Sequence, residues 1–447
     1  MDISIPKNIN FIINTLGEAG YEAFIVGGCV RDMLMEREPH DFDVTTSARP
    51  EQTKAILEAA GVKVFETGIK HGTVTAVIDG ENVEITTYRI EKGYSDNRHP
   101  DLVEFTDSLR EDLARRDFTM NAIAWNPQAG LKDYFGGQED IEKCRIKAVG
   151  ESDTRFKEDG LRILRAIRFA SVLGFEIESE TEAALARNKA LLKKISVERS
   201  REELTKLLTG PGAGTTLMKY ADIIGVVLPE ILAMKGFQQR NPHHIYDVLE
   251  HSAVCVDRIS PQPHLRWAAL LHDVGKPDTF TMDDDGIGHF YGHGARSEAI
   301  ARTIMHRLRF DTDTLKRTAD LIKHHDLQIE LTTKSVKKAL NKLGEENLHH
   351  LILLKRADNM AQHPDLIGRQ QYYDHLEALI RQIIDESQCF TLKDLAVNGN
   401  DLIAIGITEG KQIGMILKSL LDDVIEGRIA NEKDFLLALA KEKTSNL

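Results

Sequence analysis

Gly27-Gly28-Cys29-Val30-Arg31-Asp32, followed shortly by Asp41-Phe42-Asp43, is the stretch from which the fold is read. The apolar run Ala23 to Val26 reads as a strand that breaks at the two glycines, where backbone N–H groups can approach a phosphate chain with no Cβ in the way. Asp41 and Asp43 are two apart. If Phe42-Asp43-Val44 is a strand, their side chains leave the same face and can share a divalent cation. Glycines that cradle phosphates beside carboxylates that hold metal are the parts of a phosphoryl-transfer site.

Taken singly, Gly-Gly after a strand is only a turn, and Asp-x-Asp is common by chance. The ordered combination of strand, Gly-Gly, Arg-Asp helix start and Asp-x-Asp resembles the nucleotidyltransferase superfamily that includes polymerase β. Gly-Gly-x-Val-Arg-Asp with Asp-Phe-Asp is similar to its class II tRNA nucleotidyltransferase and bacterial poly(A) polymerase branch.

A chain of 447 residues is too long for one core and is expected to form about three units or more. A hydrophobic share of 42% with 28% charged residues is that of an ordinary globular protein. No membrane span is expected, because the longest apolar runs, such as Phe435 to Ala440, are far too short. Met1-Asp2-Ile3-Ser4 lacks the start of a signal peptide, and Cys29, Cys144, Cys255 and Cys389 lie far apart with no CxxC; both features fit a cytoplasmic protein. The formal net charge of −13 speaks against a nucleic-acid partner unless the sign reverses locally. It does so at Arg155, Lys157, Arg162, Arg165 and Arg168, and again at Lys334, Lys337, Lys338 and Lys342; a merely solvated face is the plainer reading of each cluster.

Periodicity predicts an amphipathic helix over residues 7–19 and another from Glu51 to Ala60, opened by Pro50. Thr73 to Ile78 and Val83 to Tyr88 alternate around Asp79-Gly80-Glu81-Asn82, a hairpin whose second strand carries Glu84, either a third acidic residue near the metals or, more plainly, an exposed strand glutamate. The polar segment from Glu91 to Asp107, with Gly93-Tyr94-Ser95-Asp96-Asn97-Arg98-His99-Pro100, is expected to be a mobile loop beside the site.

Asp112-Leu113-Ala114-Arg115-Arg116-Asp117-Phe118-Thr119-Met120-Asn121 supplies charged donors for phosphate oxygens and polar partners for a ribose hydroxyl. It resembles the family's second motif, which implies that Arg116 meets the nucleotide and Asn121 the sugar. Leu131 to Ile141 resembles the third motif, a turn from head to neck. Glu158-Asp159-Gly160-Leu161-Arg162-Ile163-Leu164-Arg165-Ala166-Ile167-Arg168 reads as one helix with Asp159 and Arg162 on a shared face. The plain reading is a surface ion pair. Hydrogen-bond chemistry gives a sharper one: cytosine and adenine both place an amine donor beside a ring-nitrogen acceptor, so an Asp acceptor next to an Arg donor complements C and A and mismatches U and G. Glu-Asp-x-x-Arg is similar to the family's amino-acid template for CTP and ATP, with Arg165 and Arg168 reaching the triphosphate. Ile195 to Leu204 resembles the last family motif, a neck-supporting helix.

Beyond residue 212 the chain reads as almost wholly helical. His243, His244, His251, His272-Asp273, His293, His324-His325 and Asp358 follow. Single histidines beside aspartates are usually structural, but adjacent His-Asp with an earlier His and a distant Asp can enclose a divalent cation. The pattern resembles the HD phosphohydrolase superfamily, which implies His251, His272, Asp273 and Asp358 as ligands, with His293 and His324 as candidates for a second site or for protonating the leaving group. Either this region hydrolyses phosphate esters at damaged tRNA ends, or it is a helical body that keeps a metal for stability. A helix over residues 374–387 is expected next. The tail, with Gly410-Lys411-Gln412-Ile413-Gly414, resembles the tRNA-holding tail of bacterial tRNA nucleotidyltransferases, and a plain helical hairpin is the alternative.

The expected fold is α+β. A polymerase-β-like nucleotidyltransferase head with a small mixed or antiparallel sheet covers residues 1–150, an all-α neck with the nucleotide template 151–242, an HD-type metal-binding body 243–360 and a helical tail 361–447. The resemblance implies template-independent addition of C, C and A to tRNA 3′ ends from CTP and ATP. Asp41 and Asp43 would hold Mg²⁺; Gly28, Arg31, Arg116, Asn121, Asp159, Arg162, Arg165 and Arg168 would bind the nucleotide; and a divalent metal of unassigned identity would sit in the HD body. An A-adding enzyme, a poly(A) polymerase, and an HD phosphohydrolase with an RNA-binding head stay open as alternatives.

Overall fold

The computed structural model describes residues 5–445 except His40, Ser95, Asp96, Arg98 and His99. The chain divides into two compact units, Met1–Leu232 and Ala233–Leu447. Among the described residues no helix is long and apolar enough to cross a membrane.

The first unit opens with the helix Lys7–Glu18, whose Ile9, Ile12, Ile13 and Leu16 are buried as their spacing requires. The head sheet is built from β1 (Ala23–Val26), β2 (Val44–Thr46), β3 (Lys63–Gly68), β4 (Thr73–Ile78) and β5 (Glu81–Thr87). After a separate two-stranded hairpin, β6 (Arg89–Lys92) with β7 (Leu102–Phe105), it is completed by β8 (Ile123–Asn126) and β9 (Gly130–Asp133). Strand order is β3-β4-β5-β2-β1-β8-β9. The β2/β5 pair is parallel and the other neighbours are antiparallel, so the sheet is mixed.

Two local differences from expectation have plain causes. Asp79 and Gly80 both take positive φ, 53° and 83°, which closes a two-residue turn and starts β5 at Glu81 rather than Val83. The segment expected to be a shapeless loop from Glu91 to Asp107 is instead largely the β6/β7 hairpin, with Arg89 opposite Phe105 and Lys92 opposite Leu102. Alternation there is masked by charged residues on both faces. Four residues of its tip, Ser95, Asp96, Arg98 and His99, lie outside the described residues.

The neck follows in the same unit. Helix Leu161–Leu173 buries Ile163, Leu164, Ala166 and Ile167, and packs against helix Val197–Leu208. Phe118 of the head meets Phe169 of the neck edge to face, with centroids 5.9 Å apart.

The second unit, which begins ten residues before the expected boundary at 243, is helical throughout its core. Helices Val248–Arg258, Pro263–Leu271, His293–Arg307, Thr312–His324, Glu345–Met360 and Arg369–Asp385 form the body. The last of these starts earlier than the expected 374. A separate apolar cluster, including Leu402, Leu420 and Leu436, organises the tail helices Gly399–Ala404, Gly410–Ile425 and Lys433–Ser445. In the first basic cluster Arg155, Arg162, Arg165 and Arg168 each meet a carboxylate, and in the second Lys334 and Lys338 pair with Glu426.

Candidate active site and metal centre

The head site is assembled by the strand that leads into the glycines. The Val26 N–H donates to the Asp43 carbonyl at 3.0 Å and the Gly27 N–H to the Ile123 carbonyl at 3.2 Å, so the turn is stitched to both neighbouring strands. Gly27 takes φ 84° and ψ −129°, a conformation essentially reserved for glycine. A Cβ there would lie 2.7 Å from Arg116 Nη1, whereas at Gly28 the nearest atom, Arg31 Nη2, is an ordinary 3.7 Å away. The first glycine therefore admits the arginine, and the second opens helix Gly28–Leu34.

Asp41-Phe42-Asp43 precedes β2, which begins at Val44, rather than lying within it. Parallel pairing sets Val44 opposite Ile85, and one step back this register places Glu84 beside Asp43 on one sheet face. Desolvation raises the pKa of the Asp43 carboxyl; Arg116 opposes the rise, while Asp41 and Glu84 add to it. Asp41 and Glu84 thus act on Asp43 as neighbouring negative charges, and Arg116 as a positive one. The Cys29 thiol is pushed up to about 11 by burial, against the hydrogen bond it makes to the Asp43 backbone, and stays protonated.

An unbroken series of polar contacts runs from the glycine turn into the neck. Arg31 donates through Nε and Nη2 to Asp32 and through Nη1 to Asn121 Oδ1, at 2.9, 2.7 and 2.9 Å. Asn121 Nδ2 donates to Asp117 Oδ1 at 3.1 Å, and Asp117 Oδ2 accepts from Arg165 at 2.8 Å. Arg168 pairs with Glu203 at 2.7 Å and lies over the Phe169 ring at 3.9 Å. Although burial opposes its charge, Asp117 is held well below the usual carboxylate range by Arg165 and the Asn121 amide.

The expected single helix through the template does not form. Helix Ser152–Glu158 ends at Asp159, which is extended with φ −139° and ψ 107°, and a new helix starts at Leu161. Gly160 sits within 3.1 Å of Leu191 when given a Cβ, which fixes the close approach at the break. Asp159 and Arg162 consequently do not share a helix face. Asp159 accepts from the Leu161 N–H at 3.0 Å and pairs with Arg199 at 2.7 Å. Arg162 donates to Glu158 at 2.5 Å and to the Arg115 and Arg155 carbonyls. Arg199 and Glu203 were not singled out from the sequence, although their i,i+4 spacing on helix Val197–Leu208 was there to be read. At the hairpin tip, Asn97 donates to the Lys157 carbonyl at 2.7 Å and accepts from Lys194 at 2.8 Å, tying the tip to the neck.

The second unit gathers His251, His272, Asp273 and Asp358 from three segments: helix Val248–Arg258, the end of helix Pro263–Leu271 and helix Glu345–Met360. His251 Nε2 lies 2.9 Å from Asp358 and 3.5 Å from Asp273, and His272 Nε2 lies 3.2 Å from Asp273. On the other side of Asp273, His293 Nε2 is 3.3 Å and His325 Nε2 3.7 Å away. The expected His324 does not join. Its Nδ1 faces the Asp320 carbonyl on its own helix, and its neighbour His325 turns inward instead. The Nδ1 atoms of His251, His272, His293 and His325 each face a backbone carbonyl, of Ala361, Ala269, Phe290 and Ile322. A carbonyl only accepts, so those ring protons sit on Nδ1 and every Nε2 is aimed at the aspartates, which is how metal-ligating histidines are oriented.

His251, His272 and Asp273 form one group close enough to hold a cation, and Asp273, His293 and His325 a second. Burial works against charge on His272, yet Asp273 and Asp358 raise it to about 9. The imidazole and carboxylate set fits a borderline divalent metal.

Comparison with known proteins places these features. Residues 23–147 match the family described as Poly A polymerase head domain, 174–235 that described as probable RNA and SrmB-binding site of polymerase A, and 294–440 that described as tRNA nucleotidyltransferase domain 2. The CCA-adding enzyme of Lactobacillus delbrueckii subsp. bulgaricus is 52% identical over 427 residues, 94% of each chain. That of Lactobacillus johnsonii is 35% identical over 425 residues, again 94% of each. Among solved structures, the Bacillus stearothermophilus CCA-adding enzyme in complex with CTP superposes with a TM-score of 0.75 at 30% identity, covering 100% of both chains. The Thermotoga maritima CCA-adding enzyme complexed with tRNA shares the fold, with a TM-score of 0.62 at 19% identity over 99% of this chain and 97% of that one.

Proposed function

The chain belongs to the CCA-adding enzymes, a family of tRNA nucleotidyltransferases, and on that premise we propose which of its residues carry the reaction. It adds C, C and A to tRNA 3′ ends from CTP and ATP, releasing pyrophosphate. The relatives are CCA-adding along nearly their whole length, which favours this over A-only addition or poly(A) synthesis. The observation that carries the assignment is the parallel register that sets Glu84 beside Asp43, with Asp41 and Arg116 at the same glycine turn.

Asp41, Asp43 and Glu84, neighbouring negative charges, are hard oxygen donors of the kind Mg²⁺ takes, and Mg²⁺ is the ion assigned to Asp41 and Asp43. When bound, such ions supply Lewis acidity, lowering the pKa of the terminal 3′ hydroxyl and taking up charge on the departing pyrophosphate. Arg116, over Gly27, meets the phosphates, and Gly28 leaves room for them. Arg31 uses three of its five N–H donors on Asp32 and Asn121 and keeps two for phosphate oxygens. Asn121, oriented by Arg31 and Asp117, faces the sugar. Arg165 and Arg168, fixed by Asp117 and Glu203, complete the positive side of the site.

Base choice falls to Asp159 and Arg162. Their present partners leave one carboxylate lone-pair site and two guanidinium N–H groups unused. Those address the amine and ring nitrogen of C or A, and a U or G would face like against like. The hairpin tip, tied to the neck through Asn97, adjusts the pocket between C and A. Such a reaction belongs to the cytoplasm, where tRNA is matured. The test uses tRNA transcripts lacking the whole CCA end, the last two nucleotides or only the terminal A, each with one labelled NTP: C must enter the first two and A only the last, whereas A entering all three identifies an A-adding enzyme.

A second activity is favoured by the four inward-facing Nε2 atoms. We propose that the second unit's centre holds a divalent metal through His251, His272, Asp273 and Asp358. It would hydrolyse phosphate esters at RNA 3′ ends, with water replacing the ester alcohol to release phosphate and leave the free hydroxyl the head requires. Metal analysis of the whole protein and of a His251→Ala variant tests this: loss of stoichiometric metal in the variant supports it, and a metal-free wild type contradicts it.

A further inference from the structure

Away from the His/Asp centre, the second unit holds another pair of converging imidazoles. His264, in the first turn of helix Pro263–Leu271, and His350, on helix Glu345–Met360, bring Nε2 and Nδ1 to 3.3 Å from each other. With planes 59° apart and centroids 4.7 Å apart, the rings meet at their nitrogens rather than face to face. Zn–N bonds of about 2.0–2.1 Å set neighbouring nitrogens of a zinc tetrahedron roughly 3.3–3.4 Å apart, so these two atoms already stand as one edge of such a site. Both rings can lend a lone pair at neutral pH. Burial pushes His264 down to about 4, helped by His350 and Arg317, and burial lowers His350 too.

Carboxylates lie close by. Glu346 is one helical turn before His350, and its negative charge acts on both rings, while Asp313 acts on His264. Arg317 pairs with Glu346 at 2.7 Å and with Asp313 at 2.9 Å. Arg317 is therefore the cation that a metal ion would compete with for Glu346, and at 35% exposed it can turn out into solvent. The position matters to the unit: His264 precedes His272 by eight residues, and His350 precedes Asp358 by eight. The same two helices thus meet through side chains at the His/Asp centre and again about two turns back.

We propose that His264 and His350 bind a borderline divalent cation of the zinc type, with Glu346 as third ligand and water as fourth, and that the ion clamps helix Pro263–Leu271 to helix Glu345–Met360. The site is separate from the His/Asp centre and does not depend on that centre's being hydrolytic.

The experiment strips the full-length protein of metal with a chelator and titrates it with Zn²⁺ alone, reading stoichiometry and affinity against a chromophoric competitor and following the melting temperature in parallel. It is run on the wild type and in a His251→Ala background, which separates the inner centre's share. In both, His264→Ala or His350→Gln should remove one Zn²⁺ per chain or weaken it about tenfold or more, and should shrink the rise in melting temperature that Zn²⁺ produces. Arg317→Gln, which removes the competing cation, should tighten the same ion. Should His264→Ala fail to fold, His350→Gln and the surface change Arg317→Gln still decide the matter. Zn²⁺ stoichiometry and affinity unchanged by the histidine variants would leave the pair as a shared N–H···N hydrogen bond and overturn the proposal, and weaker Zn²⁺ binding by Arg317→Gln would overturn it as well.

Discussion

Gly27 is held by more than its place in a turn: its backbone angles exclude a side chain, and the space a Cβ would need belongs to Arg116. Gly27→Ala is therefore expected to cost about 1–3 kcal/mol in backbone strain alone and to displace Arg116 from the carboxylates. A lowered melting temperature together with a loss of CTP incorporation checks this, and an unchanged melt would contradict it. Arg199 makes a different kind of prediction. It orients Asp159 without facing the phosphates, so Arg199→Ala should blur the preference for CTP and ATP over UTP and GTP while leaving tRNA affinity near wild type. Separate KM measurements for nucleotide and tRNA read the two effects apart.

At the scale of elements, the break at Asp159 decides how the neck meets the head. It was invisible to periodicity because Leu161 to Leu173 keeps its apolar spacing right up to Gly160, and one conformational kink does not alter that pattern. The strand, glycine and Asp-x-Asp order was legible because each part has a short-range cause. Glu84 could be named as a third acidic candidate, but choosing between that and an exposed strand glutamate depends on a parallel register between β2 and β5, which are separated by two strands and a helix in sequence. His325 in place of His324 is likewise a matter of helix phase at its last turn, one residue being enough to turn a ring from solvent side to centre. The ion pair that docks neck to head offers a test with a pH sign. Asp117 is depressed in the folded state, so its stabilisation is complete above its unfolded pKa and is lost as pH falls through the folded one. Breaking a fully buried pair costs about 3–5 kcal/mol, and Arg165, 33% exposed, brings the expectation for Asp117→Asn to about 2 kcal/mol at neutral pH. The gap in melting temperature between wild type and variant should shrink as the buffer is taken below about pH 4. A gap that is constant or widens in acid would show that Asp117 does not act as a paired carboxylate.

For the whole molecule, the proposed reading assigns the two units different donor sets, carboxylates in the head and imidazole with carboxylate in the second unit. Asp41→Ala should abolish nucleotide incorporation while metal-dependent phosphatase activity and metal content of the second unit persist, and loss of both from this single change would refute the two-site scheme. The claim on which everything else depends is that side chains, and no complementary strand, choose the incoming base. It is tested most directly by offering CTP, ATP, UTP and GTP singly to Asp159→Ala with a tRNA transcript lacking CCA. A lost carboxylate acceptor should cut discrimination by about 1–3 kcal/mol, roughly tenfold or more, while C still enters. Incorporation that falls for all four nucleotides alike, with the wild-type order of preference intact, would contradict the account.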